Sequence, residues 1–144
     1  MMRITLALLA LVLASVPVNA GSVEDQKYLL DQTRLIKQID EQSAVMARYK
    51  KQACDRDRIK AKYPAGEVEP QMLVCNDLYS LVIARWQAQK IELQLTVAAL
   101  KIASGNRAKV HNEVVPVEKY NATRGETNRI SQMAVTMYPP PPQK

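Results

Sequence analysis

Phenylalanine is absent from this chain, and tryptophan and histidine occur once each. The single histidine, His111, sits in Lys109-Val110-His111-Asn112, where no motif sets a nucleophile or a carboxylate beside it. It reads as a surface loop residue, and Ser-His-Asp or Cys-His chemistry has no support. Four glycines leave no phosphate-cradling loop. Asp55-Arg56-Asp57-Arg58 lacks the glycine and the terminal glutamate of a calcium loop. The only cysteines, Cys54 and Cys75, have no Cys-x-x-Cys spacing, and with one distant histidine they make a poor metal set. The expectation is a non-enzymatic protein with no catalytic, cofactor-binding or metal-binding residues.

Long apolar runs are also scarce. The one present, Ile4 to Ala14, follows Arg3 and is too short for a comfortable membrane span of about 20 residues. Pro17 breaks it, and Val18-Asn19-Ala20 offers the small residues that a signal peptidase reads. Residues 1–20 therefore read as a secretory signal peptide cleaved after Ala20. No cysteine lies near that point, so a lipid anchor is not expected, and the mature chain has no transmembrane segment. The expected address is the periplasm or the exterior, where two cysteines normally pair.

What is present is helical pattern. Between Ser22 and Lys62 there is no proline and no glycine. Ser22-Val23-Glu24-Asp25 resembles a capping box with two acids for the positive end of the helix dipole. Leu29, Ile36, Ile39 and Met46 then form one apolar stripe, widened by Tyr28, Leu35 and Tyr49. A continuous first helix to Lys62 is expected, with room for a kink near Ser43. Pro64 ends it by excluding Tyr63 from helical geometry, and Pro70 suits the first turn of a second helix reaching about Ser104. Gly105-Asn106 serves as its stop.

The second helix carries two apolar stripes. Cys75, Tyr79, Val82, Trp86, Leu93, Val97 and Leu100 form one; Ile91, Leu95, Ala98 and Ile102 form another. The first helix can cover only one of these, so a third segment or a second protomer must cover the other. Glu126 to Met137, with Ile130, Met133, Ala134 and Met137 on one face, predicts a short third helix preceded by Thr123 or Gly125. Val114-Val115-Pro116-Val117 is β-like, but its proline forbids a central strand. Four consecutive prolines, Pro139 to Pro142, favour an extended polyproline end.

The fold class is accordingly all-α: an antiparallel helical hairpin stapled by one disulfide, a short C-terminal helix and a Pro-rich tail. Residues 21–137 make the helical domain, with the hairpin at 22–104, a variable segment at 105–137 and the tail at 138–144. Cys54 and Cys75 would hold the turn end and close a loop worth about 3 kcal/mol in the chain-entropy model.

The chain carries a formal charge of +6. Arg48, Lys50, Lys51, Arg56, Arg58, Lys60 and Lys62 crowd one stretch, interrupted only by Asp55 and Asp57. They read either as a solvated helix end, where cations meet the negative end of the dipole, or as a binding surface for an acidic partner or an anionic envelope surface. Nucleic acid is not expected, because only Tyr49 and Tyr63 interleave the cations. Two functions fit. One is a helical interaction protein of the cell envelope, for instance an accessory of a secretion or conjugation apparatus. It would bind a protein partner or itself through the second apolar face. The other is a small periplasmic inhibitor, immunity or chaperone-like protein that meets an acidic soluble partner with the basic run.

Overall fold

The computed structural model describes residues 22–103, 106 and 117–142. The leader reading of residues 1–20, His111, the Val114–Pro116 stretch and the Gly105 stop lie outside them. The class is all-α: among the described residues there are four α-helices, one 3-10 turn and no strand.

Helix α1 spans Val23–Ala53. It opens on the capping box that its sequence announces. The Ser22 hydroxyl accepts from the Asp25 amide at 3.1 Å, and the Asp25 carboxylate accepts from the Ser22 amide at 3.3 Å. The helix runs unbroken through Ser43 and stops instead at Cys54, so the expected single helix to Lys62 is two helices. Cys54 and Ala53 are drawn into the core. Asp55, in an extended conformation, then caps a new helix α2, Arg56–Lys62, by accepting from the amides of Asp57 and Arg58. The restart turns Ile59 inward, where it is buried.

Tyr63 is extended, as the following proline requires. After a 3-10 turn, Ala65–Glu67, helix α3 covers Val68–Ile102. It starts two residues ahead of Pro70, which still falls in the first turn, where a missing N–H costs nothing. Its contacts with α1 pair Asp40 with Lys90, Lys50 with Ser80, and Cys54 with Cys75. Numbers rise on one helix as they fall on the other, so α1 and α3 run in opposite directions. Cys54 and Cys75 are disulfide-bonded with their Cα atoms 5.6 Å apart.

Helix α4 spans Val117–Met137 and is longer than the segment expected from Glu126. Thr123 and Gly125, read as its boundary, lie inside it. Tertiary packing overrides local propensity here: Tyr120 and Thr127, on either side of those residues, are both buried. Together α1, α3 and α4 enclose one core of Ile39, Met46, Tyr79, Val82, Trp86, Leu93, Ile130 and Ala134.

Candidate interaction surfaces

Three surfaces carry enough chemistry to bear a function. The first is the basic end beside the disulfide. The chain brings its cations together there, and then uses most of them internally. The Lys50 ammonium donates to the Ser80 hydroxyl at 2.8 Å. Arg56 pairs with Glu69 across the 3-10 turn. Arg58 donates to the Pro139 carbonyl at 3.1 Å, and Lys62 to the Met137 carbonyl at 2.9 Å. Lys62 also lies near the rings of Tyr63 and Tyr138, and Arg48 near that of Tyr49. Lys62, though exposed, thus meets the negative C-terminal end of α4. Lys51 and Lys60 project outward and make no such contact among the described residues. Arg56 and Lys60 share a hollow of about 470 Å³ with Tyr63, Val68 and Glu69.

Tyr138, assigned to the tail from sequence, is a packed residue and corrects that boundary. Its hydroxyl donates to the Gln71 side chain at 2.6 Å, and its carbonyl accepts from the Tyr79 hydroxyl at 2.8 Å. Burial, with a smaller contribution from Tyr49, pushes the Tyr79 phenol up to about 12. Burial likewise raises Tyr138. The packed aromatic next to a proline run was the available signal for this anchor.

The second surface is a groove between α1 and α4, floored by Trp86 on α3 and enclosing about 410 Å³. Leu35 and Ile39 supply one wall, Tyr120 and Arg124 the other, and Glu41 stands at the side. Burial raises the Tyr120 phenol while Arg124 pulls it the other way. Among the described residues the lining includes no serine, cysteine or histidine; its ionisable groups are Glu41, Tyr120 and Arg124.

The third surface is the back of α3. Its first stripe, Cys75 to Leu100, is buried throughout. Helix α4 lies along the flank of α3, not over its second stripe. Gln89 donates to Thr127 at 2.6 Å and to the Thr123 carbonyl at 3.3 Å. Arg85 pairs with Glu126 at 3.0 Å and Glu92 with Lys119 at 3.8 Å. Helix α4 therefore meets α3 through this polar strip as well as through the core, and the second apolar stripe stays open. Ile91 is 56 % exposed, Leu95 63 % and Ile102 87 %. Leu81, 47 % exposed, with the exposed Ala84 and Ala88, extends the strip toward the disulfide. The sequence reading missed this extension, although its spacing of three and four residues was there to be counted.

Among the described residues no group of acids, histidines and cysteines could hold a metal ion, and no helix is long and apolar enough to cross a membrane. No protein-family model, curated protein or solved structure matches the chain.

Proposed function

We propose that this chain is an exported, non-enzymatic interaction protein of the cell envelope, a disulfide-stapled antiparallel hairpin of α1 and α3 with α4 laid along it. One observation carries the reading: the back of α3 presents Leu81, Ile91, Leu95 and Ile102 to solvent on a helix whose opposite face is already in the core. A contiguous apolar strip of this kind on a small protein marks a surface that another chain covers. The buried disulfide suits an oxidising compartment, and residues 1–20 have the pattern of a cleaved leader. An accessory place in a secretion or conjugation apparatus is the setting that fits a small, exported, partner-seeking helical protein.

The rival reading, an inhibitor, immunity or chaperone-like protein that grips an acidic partner, draws less support. Lys50, Arg56, Arg58 and Lys62 are engaged within the fold, which leaves Arg48, Lys51 and Lys60 as the cations most available to a partner.

Photo-crosslinking in the producing cell tests the proposal. A benzophenone side chain at position 95 or 102 is expected to give covalent adducts in the envelope fraction, while one at exposed position 37 on α1 gives none. Absence of adducts from both apolar positions overturns the reading. Fractionation and the intact mass of the mature chain test export, with Gly21 expected as the first residue.

A further inference from the structure

The open strip on α3 has a spacing more specific than mere exposure. Leu81, Ala84, Ala88, Ile91, Leu95, Ala98 and Ile102 recur at alternating intervals of three and four residues, the 3.5-residue period of a coiled-coil seam. All seven are exposed, and none is charged. At about 1.5 Å per residue the seam is roughly 32 Å long. The charged residues on its α4 side, Arg85 and Glu92, are neutralised by Glu126 and Lys119 of the same chain.

The order of sizes along the seam names its occupant. Laid antiparallel on itself about a two-fold axis between Ala88 and Ile91, every layer sets one large residue on one alanine: Leu81 on Ala98, Ala84 on Leu95, Ala88 on Ile91. The alanines let the two backbones approach, and the large side chains fill the space. Asp77, the next seam position toward the disulfide, is exposed and comes opposite Ile102 and beside the exposed Lys101 of the other copy. Each end of the seam then closes with an acid near a base. A parallel, in-register pair does the reverse. It stacks alanine on alanine and leucine on leucine, and sets Asp77 against Asp77 and Lys101 against Lys101. Such self-complementarity is what an isologous two-fold interface requires.

We propose that α3 docks antiparallel on α3 of a second copy of this chain, through the seam from Leu81 to Ile102 with Asp77 and Lys101 pairing across its ends. The inference rests on the reading of this face as an interaction surface, and narrows its occupant to the same chain.

The mature, disulfide-intact full chain tests it. Light scattering over a concentration series is expected to give the mass of a dimer. Leu95→Glu, at a position outside the core, is expected to give a monomer with unchanged helix content. Asp77→Lys is expected to weaken the dimer roughly tenfold by turning two attractions into repulsions, and adding Lys101→Asp to restore it. Orientation is read with a short thiol crosslinker. Ala88→Cys lies near the axis and is expected to crosslink to itself. The two copies of Ile102→Cys stand about 37 Å apart in this arrangement and are expected not to. A monomer at every concentration, or self-crosslinking at position 102, overturns the proposal. If the chain is monomeric while position 95 crosslinks a different envelope protein in cells, self-pairing falls and the interaction reading stands. If position 95 is silent in cells as well, both fall.

Discussion

Tyr79 shows how much one side chain can hold. It is buried on α3, and its hydroxyl donates to the Tyr138 carbonyl at the point where α4 gives way to prolines. Removing that donor strands a buried carbonyl, so Tyr79→Phe is expected to cost about 1 kcal/mol in a denaturant titration. The same residue predicts a pH dependence. Its phenol is raised from 10.0 to about 12 in the folded chain, mainly by burial. A raised folded value means that the folded state keeps its proton where the unfolded state has lost it. Its stabilisation is complete below pH 10 and is lost as the pH rises from 10 through about 12. The slope is at most about 1.4 kcal/mol per pH unit for this one group. Denaturant titrations across that window should fall more gently in Tyr79→Phe than in the wild type; equal slopes would remove Tyr79 from the account. Tyr138 predicts a contrast of another kind. Tyr138→Ala loses a buried ring and its bond to Gln71, for an expected cost of about 3 kcal/mol. Deleting residues 139–144 removes the Arg58 hydrogen bond to Pro139 and the partial burial of Pro140 and Pro141, and should cost less than Tyr138→Ala, about 1 kcal/mol.

Among the elements, the disulfide and α4 were legible to different degrees. The pairing of Cys54 with Cys75 followed from there being two cysteines and from the expectation of an oxidising compartment. That Cys54 breaks the first helix did not follow, because the stretch around it has no proline or glycine to announce a stop. The break comes from the need to aim Cys54 inward, combined with Asp55 as a ready cap. Replacing both cysteines by alanine is expected to cost about 3 kcal/mol, a fall of roughly 10 °C in Tm. Helix α4 was read too short because Thr123 and Gly125 look like boundary residues. Gly125 is nevertheless mid-helix, and a Cβ there would meet nothing within 4 Å. Gly125→Ala should therefore stabilise the chain by about 0.5–1 kcal/mol, measured by thermal melting. A loss of stability would mean that α4 is not continuous through this position.

For the whole molecule, the charge pattern and the apolar pattern compete for the functional role, and ionic strength separates them. An association through the charge-free seam of α3 should hold as salt is raised to about 0.5 M. One through the basic run should weaken steeply, because exposed charges are screened over a Debye length of about 10 Å at 0.1 M and less at higher salt. Crosslinking yield from position 95 against salt is the measurement.

The sequence by itself determined the helical class, the cysteine pair, the start of α1, and the fact that α3 is apolar on two faces. Each of these depends on local spacing or on counting, which needs no knowledge of what lies across the core. Only the tertiary structure decided which face of α3 is left over. Helix α4 is long enough to cover the aliphatic stripe, but its contacts from Thr127 to Gln89 and from Glu126 to Arg85 lie on the polar flank instead. Only the Gln89–Thr127 hydrogen bond among these is buried, and with Tyr120, Ile130 and Ala134 in the core it sets where α4 lies; the exposed Arg85–Glu126 pair adds little. The basic run was likewise visible as a run, yet its use was not. That Lys62 and Arg58 reach the backbone carbonyls of Met137 and Pro139 depends on where the far end of the chain arrives.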